Sequence, residues 1–230
     1  MAMYLGSKKV AVTNTIEKKV PSMKAFFEAG GKCSRSTATS FDGIIQYDDT
    51  ANVTNMDFMF YYCSNLTTVP QLDTSNVTSM NDMFDSCEKL TSVPLLDTSK
   101  AMVTERMFMY CSSLITVPKF DTSNVTSVAR MFMGCSSLII VPQFDFSKVF
   151  YAESMFYNCS SLEAIHIINI NVSLYINSST KFTREALLEI IGNLKAQTSG
   201  TKTLTMSSTN LAKLTEEDKA IATNKGWTLA

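Results

Sequence analysis

The sequence predicts an α/β solenoid of 24-residue coils with a cap at each end. The first observation is an internal repeat, in which a Met-Phe pair recurs every 24 residues. The second is that Cys, Leu and Val follow each pair at constant distances, with Ile in place of Val in the last unit. The third is an apolar residue at about every third position, which fits a chain wrapping around an axis better than one long helix. The five pairs are Met59-Phe60, Met83-Phe84, Met107-Phe108, Met131-Phe132 and Met155-Phe156.

Each unit divides into three parts, illustrated here by the second unit, residues 76–99. The segment 90–94 (Leu-x-x-Val-Pro) is predicted to form a short parallel strand, and the segment 83–87 (Met-Phe-x-x-Cys) a helical or 3₁₀ turn on the opposite side. The segment Asp-Thr-Ser is predicted to form a corner in which side-chain oxygens accept hydrogen bonds from nearby amides. Since one unit cannot bury its apolar face alone, neighbouring units are expected to share a continuous core. The fifth unit drifts from the pattern, with Ile165 for Val, His166 for Pro and Asn169 for Asp.

The repeat Asp-Thr-Ser-Asn-Val-Thr-x-Met-x-x-Met-Phe-x-x-Cys-x-x-Leu-x-x-Val-Pro resembles the BspA-like leucine-rich repeats of bacterial surface proteins. The most similar subfamily is one of unknown function that is abundant in mycoplasmas, gut bacteria and their phages. The resemblance covers about residues 49–172. It implies a right-handed leucine-rich-repeat-like solenoid with a role in adhesion or protein binding, and it implies no catalysis by the repeats.

The chain is accordingly divided into three parts. Residues 1–48 are predicted to form an N-terminal cap and possible anchor, with a hairpin around Gly6-Ser7 and a helix over 15–29. Residues 49–172 form the five-coil solenoid. Residues 173–230 are predicted to form a helix-strand-helix-strand cap that continues the solenoid, with Thr183 capping a helix to about Gln197 and a second helix opening at Thr215.

Composition excludes several classes of partner. With 230 residues, a net charge of −1 and a pI near 5.9, the protein has no strong field that would attract nucleic acid. No stretch approaches the roughly 20 apolar residues of a membrane helix, so membrane insertion is not expected. The first ten residues also lack the apolar segment of a secretory signal.

The residues with reactive side chains are interpreted as structural. Five of the six cysteines recur once per unit, and with no Cys-x-x-Cys and a single His the sequence predicts buried free thiols and no metal site. The aspartates at the corners are interpreted as turn residues; calcium binding is the alternative. His166 has no nucleophile or carboxylate motif beside it. We therefore expect no enzymatic activity and no cofactor.

Positions that vary between units are the candidate binding residues, because the core positions are fixed. We call the first set the strand-side column and the second the turn-side column. A wide, mixed surface of this kind suits a protein or glycan partner better than a small molecule. The strand-side column comprises Gln71, Leu95, Lys119, Gln143 and Ile167, and the turn-side column comprises Tyr61, Asp85, Met109, Met133 and Tyr157.

The leading functional hypothesis is a non-enzymatic binding module on a phage virion, as a head or tail decoration or fibre protein. Residues 1–30 are then expected to attach it to other virion proteins. The alternative is a bacterial cell-surface adhesin, which the repeats fit equally well. An export signal or wall anchor would favour this second hypothesis.

Overall fold

The computed structural model describes residues 2–5, 8–11 and 50–230. Strands β1 (Ala2–Leu5) and β2 (Lys8–Ala11) pair antiparallel, with Leu5 opposite Lys8. This register leaves two residues between the strands, as a two-residue hairpin requires. The turn itself at Gly6-Ser7, the helix predicted over 15–29 and Cys33 lie outside the described residues.

Successive 24-residue units lie side by side and are joined by backbone hydrogen bonds. Single parallel β-bridges link Ser79 to Val103 and Val103 to Ser127, and the same row extends to one further unit on either side. On the turn segment, Phe84 N donates to Met107 O at 2.8 Å, with equivalent bonds between the other units. Each unit is therefore paired through its main chain with the unit before it and the unit after it.

A ladder of stacked phenylalanine rings fills the centre of the units. Phe60, Phe84, Phe108, Phe132 and Phe156 are at most 1% exposed. Their ring centroids are 5.3, 5.4, 5.6 and 6.1 Å apart in chain order, with interplanar angles of 5° or less. This is the offset-stacked arrangement that aromatic quadrupoles prefer.

A second ladder consists of cysteine thiols. Cys63, Cys87, Cys111, Cys135 and Cys159 are free and buried, which confirms the prediction for the repeat cysteines. The Sγ of Cys111 donates to Phe84 O at 3.0 Å, and the same contact recurs between the other adjacent units. Each of these four thiols, those of Cys87, Cys111, Cys135 and Cys159, thus ties its own unit to the main chain of the preceding one, a contact that an aliphatic side chain of similar size could not make.

The Met-Phe-x-x-Cys segment forms no helix, so the predicted helical or 3₁₀ turn is met only in the spacing of its hydrogen bonds. It is a chain of turns closed by hydrogen bonds between residues three apart, such as Cys87 N to Phe84 O at 3.1 Å. Two residues of each of the first three units adopt left-handed backbone, for example Asp82 at φ 54° and Ser86 at φ 61°. A residue with positive φ cannot continue a right-handed helix, so each one reverses the turn that precedes it.

The predicted strand is regular only in the last two units. β3 (Ile140–Asp145) pairs parallel with β4 (Ala164–Ile168), while in the preceding unit the segment is reduced to one bridge, Thr116 to Ile140. β3 carries a register shift between Val141 and Phe144. Pro142 lies within β3 between the paired residues Val141 and Phe144, and β3 pairs regularly with β4, in which His166 replaces the proline that lacks a backbone N–H.

The corner aspartates act as predicted. Asp73 Oδ1 accepts the Ser75 amide at 3.0 Å, and the same bond forms at Asp97, Asp121 and Asp145. The aspartates are therefore turn residues in all four units.

The C-terminal part is a parallel three-stranded sheet with helices between its strands. β5 (Leu174–Tyr175), β6 (Lys202–Thr205) and β7 (Trp227–Leu229) pair in that order. The helices are α1 (Arg184–Gly192), α2 (Ser208–Leu211) and α3 (Glu216–Asn224).

Helix ends in this part follow the capping residues. Thr183 and Thr215 are the N-caps of α1 and α3, as predicted, and Thr215 forms a reciprocal capping box with Asp218. α1 ends at Gly192 and not near Gln197, because Asn193 already closes it. Arg184 binds the Asp218 carboxylate through two hydrogen bonds of 2.8 and 2.7 Å, which joins α1 to α3.

Candidate binding surface

Four members of the strand-side column form an exposed row. Gln71, Leu95, Lys119 and Gln143 are all exposed, Leu95 at 61%. Gln71 Nε2 donates to Leu95 O at 3.0 Å, and Lys119 Nζ donates to Gln143 Oε1 at 2.7 Å. These bonds join the first unit to the second and the third to the fourth, and the row presents an apolar side chain, a cation and two amides.

The prediction that Ile167 is the fifth member of this exposed row is wrong, because Ile167 is fully buried. The register shift in β3 pairs Ile167 with Phe144, a core residue, and not with Gln143. The fifth unit is one residue shorter than the fourth across this strand, so a constant step of 24 residues selects the wrong position. The side chain that replaces it near the surface is His166, whose Nδ1 lies 2.7 Å from Glu189 Oε1 on α1.

A shallow cleft of about 280 Å³ opens beside the strand-side column. Lys119 and Gln143 stand on its wall, and the carboxylates of Asp121 and Asp145 line it as well. Asn169 and Ser147 donate to Asp145, and although burial alone raises the pKa of this carboxyl, these bonds hold it below its usual value. Asp145 therefore presents a stable negative charge in the cleft that Lys119 also lines. The remaining lining residues are Phe120, Thr122 and Ile168.

The turn-side column is only partly exposed. Tyr157 is 50% exposed, and Tyr61, Met109 and Met133 are half-buried. The prediction that Asp85 is a surface residue is also wrong, since Asp85 is only 3% exposed. It is shorter than the residues at the same position in the flanking units, Tyr61 and Met109, so larger side chains on both sides cover it.

Sequence reasoning did not identify two other exposed apolar groups. Met102, Phe150 and Tyr151 are 54%, 69% and 58% exposed, and Ile115 and Ile139 are 45% and 40% exposed. The sequence does mark these positions as unusual. Met102 and Phe150 occupy a repeat position that is threonine in the other units, and at another repeat position Ile115 and Ile139 replace the threonine of the first two units. These substitutions make the surface more apolar toward the later units.

The structure also contains a buried ion pair that the sequence does not indicate. Arg106 donates to both oxygens of Asp82 at 2.7 and 2.9 Å, across two adjacent units. Asp82 is 3% exposed, and the hydrogen bonds that Arg106 donates to its carboxylate raise the pKa of Arg106. The guanidinium is therefore fully charged and fixed in place.

The reactive side chains of the repeats are arranged for packing. Burial raises the pKa of the Cys87, Cys111 and Cys135 thiols well above the ordinary value, and that of Cys159 to about 12. These thiols are neutral at physiological pH, whereas the thiolate is the nucleophile and metal ligand. Within residues 50–230, no group of three or more metal-ligating side chains comes together. No helix of the described part is long and apolar enough to cross a membrane.

The sequence matches the model of one known protein family. The family model described as "Mycoplasma protein of unknown function, DUF285" matches residues 21–139 and 92–191. Together the two matches span residues 21–191, about three quarters of the chain. No curated protein matches it.

Proposed function

Because the chain belongs to the DUF285 family, which is related to the BspA-like repeat proteins, we propose that it is a non-enzymatic binding module. Its repeats form a right-handed leucine-rich-repeat-like solenoid in this proposal, and the strand-side and turn-side columns contact a protein or a glycan. The surface columns carry the interaction, and the stacked core holds them in place.

One observation carries the proposal: the same units combine an unvarying interior with a varied exterior. Every Phe and Cys of the two ladders is buried, while the strand-side positions 71, 95, 119 and 143 carry Gln, Leu, Lys and Gln and are exposed. Stacked repeats of this type create extended binding surfaces, since substitutions at exposed positions do not disturb the packing. A rigid row of different side chains is suited to recognising an extended partner.

The chemistry of the row supports a macromolecular partner. Leu95 supplies exposed apolar area, and the pair formed by Lys119 and Gln143 supplies hydrogen-bond donors beside the Asp121 and Asp145 carboxylates. Interfaces between proteins combine apolar contact with a polar rim in this way. The adjoining cleft is smaller and more open than the sites that enclose small molecules, which bury most of their ligand.

A binding experiment on intact cells tests the proposal. The fluorescently labelled full-length protein is titrated onto intact bacterial cells. The triple variant Leu95→Ser, Lys119→Ala, Gln143→Ala is titrated in the same way for comparison. The matched control carries Glu217→Ala and Ile221→Ser, two exposed changes on α3. We expect saturable binding that is lost in the triple variant and kept in the control. Equal binding by all three proteins contradicts the proposed surface.

The proposed setting is a phage virion, to which the N-terminal hairpin attaches the module. An isolated two-stranded hairpin is marginally stable in water, so β1 and β2 gain stability by adding to a sheet of another subunit. The alternative setting is the bacterial cell surface, which the relation to BspA-like proteins favours.

Deletion of residues 1–13 separates these two settings. In the virion setting, the truncated protein keeps its circular dichroism spectrum and disappears from purified particles. Normal incorporation of a folded, truncated protein rejects the hairpin as the attachment. Absence of the full-length protein from particles, together with its detection on the bacterial surface, assigns it to the adhesin alternative.

A further inference from the structure

A third exposed row lies on the segment that follows each corner, outside the strand-side and turn-side columns. Its most exposed members are Met102 in the third unit and Phe150 and Tyr151 in the fifth. Phe150, at 69%, is the most exposed large apolar side chain of the described residues. We call this surface the corner row. Apolar side chains that are exposed together, unlike single ones, mark a contact surface.

Main-chain hydrogen bonds hold the members of the corner row side by side. Thr126 of the fourth unit links them, since Thr126 N donates to Met102 O at 2.8 Å and Phe150 N donates to Thr126 O at 2.9 Å. Parallel bridges at the next position of each unit run alongside. With a strand spacing of about 4.8 Å, the backbones of Met102 and Phe150 lie about 10 Å apart across the fourth unit.

Opposite charges flank the corner row in the same order in both units. The third unit reads Lys100-Ala-Met-Val-Thr-Glu105, and the fifth reads Lys148-Val-Phe-Tyr-Ala-Glu153. The residue directly after each lysine and the residue directly before each glutamate are buried. The fourth unit carries Asn, Thr, Ser and Ala at the equivalent exposed positions and has no charge there. Each apolar pair thus lies between a positive end and a negative end.

The charges of the fifth unit are available to a partner. Lys148 and Glu153 are exposed, and neither takes part in an ion pair within residues 50–230. The Lys148 ammonium donates to Asn124 Oδ1 at 2.7 Å, which leaves its other donors for a further acceptor. In the third unit, Glu105 already lies 3.9 Å from the Arg106 guanidinium. The stronger charge contacts are therefore expected in the fifth unit.

We propose that the corner row is a dimer interface, covered by the corner row of a second copy of this chain. In a two-fold symmetric contact, the same patch serves on both copies. If the two-fold axis runs in the direction in which the units stack, the lysine end of each unit faces the glutamate end of the same unit in the other copy. If the axis runs across the units, lysine faces lysine and glutamate faces glutamate. Charge complementarity selects the first arrangement, in which Phe150 and Tyr151 lie next to the axis and pack against their counterparts.

The inference goes beyond the proposed function, and dimerisation is measured without any ligand. A dimer carries two copies of the strand-side and turn-side columns. Two linked binding surfaces raise the avidity for a cell surface that presents several partners. A monomeric protein that still binds cells through Leu95, Lys119 and Gln143 would therefore separate failure of the dimer from failure of the proposed function.

Sedimentation velocity over a concentration series of the full-length protein, with a reducing agent present, tests the interface. We expect a species of twice 25.5 kDa that dissociates on dilution, since a patch of this size gives a weak contact. Phe150→Ser should raise the dissociation constant at least about tenfold. Ile221→Ser, which removes a 43% exposed apolar side chain on α3, is the matched control and should dimerise like the unmodified protein. Circular dichroism establishes that each variant is folded.

Exchange of the charges tests the arrangement of the two copies. Lys148→Glu and Glu153→Lys each place like charges opposite one another, and each should weaken the dimer at least about tenfold. The two changes shift the net charge in opposite directions, so a general charge effect cannot weaken both. The double variant exchanges the two ends and should dimerise within about threefold of the unmodified protein.

Four results would overturn the inference. The first is an unmodified protein that stays at 25.5 kDa at every concentration, and the second is unchanged affinity in Phe150→Ser. The third is a double variant that dimerises no better than the single variants, since the two rows then do not face each other as proposed. The fourth is a monomeric unmodified protein that binds phosphatidylglycerol vesicles and loses this binding in Phe150→Ser, which would assign the corner row to a lipid surface.

Discussion

Replacing Phe108 by Ala tests the stacked core at its centre. Phe108 is fully buried, and its ring lies between Phe84 at 5.4 Å and Phe132 at 5.6 Å. Removing a buried phenylalanine from a packed core costs about 3–5 kcal/mol. Three stacking contacts are lost together, because Phe120 also stacks on Phe108 with ring centroids 6.0 Å apart. Each contact is worth about 0.5–1.5 kcal/mol, so we expect the upper half of that range.

Urea unfolding followed by circular dichroism measures the effect. If the transition has a slope of about 2 kcal/mol per molar urea, a loss of 4 kcal/mol lowers the midpoint by about 2 M. Phe108→Leu is the graded variant, which loses all three stacking contacts but fills most of the space; we expect a loss of about 1–2 kcal/mol. Lys119→Ala is the surface control, with an expected loss below about 0.5 kcal/mol because its bond to Gln143 is exposed.

The order of the three variants is the critical result. If Phe108→Ala and Lys119→Ala unfold at the same urea concentration, the assignment of inward and outward positions is wrong. If Phe108→Leu is as damaging as Phe108→Ala, ring stacking accounts for the loss and the cavity argument fails. Because repeat proteins depend on contacts between neighbours, a split transition in Phe108→Ala would show that the two halves uncouple at the third unit.

Three further predictions concern thiols, a carboxyl and a glycine. With Cys33 replaced by Ser, the native protein should react slowly with a thiol reagent, since the repeat cysteines are buried; rapid modification of most of them contradicts the stacked core. Burial raises the pKa of Asp85 to about 6, so charging it in the folded protein carries a penalty that is absent below about pH 4 and complete above about pH 7. Asp85→Asn should therefore be more stable than the unmodified protein by about 2–3 kcal/mol at pH 8 and by little at pH 4; an equal difference at both values refutes this. Gly134→Ala should lose about 1–3 kcal/mol, because its φ is +79° and the new Cβ would lie 2.5 Å from Tyr110 Cδ1, whereas Gly192→Ala meets no atom within 4 Å and should not destabilise; equal losses contradict the steric reason.

The period of the repeat was sufficient to identify the interior. A residue that recurs every 24 positions and is apolar in every unit must face the neighbouring units, and the Phe and Cys ladders follow directly. The turn segment could not be predicted in the same way. Its left-handed positions carry Phe58, Asp82, Arg106, Arg130 and Ser154 at the first of the two places, residue types with no common preference for positive φ. Hydrogen bonds between units determine this backbone, and they are not encoded in any local pattern.

The binding surface was predicted less completely, for two different reasons. Asp85 is buried by the size of its neighbours Tyr61 and Met109, a property of three units together that a single position does not reveal. Ile167 could have been placed correctly. Val141 and Phe144 are three residues apart in the fourth unit, whereas Ile165 and Ile167 are two apart, so the apolar spacing itself changes where one residue is missing.

The departures in the fifth unit serve to end the repeat and connect it to the C-terminal sheet. His166 restores the backbone N–H that the earlier prolines lack, and its ring contacts Glu189 on α1 at 2.7 Å. Asn169 follows Ile168, the residue paired with Asp145, and its side-chain amide donates to the Asp145 carboxylate at 2.9 Å. Ile170 then forms a parallel bridge with Leu194, directly after α1. His166 and Ile170 thus join the last unit to α1 and to the residues directly after it, while Asn169 binds the preceding unit. A unit with no successor needs different contacts from one that is followed by a copy of itself.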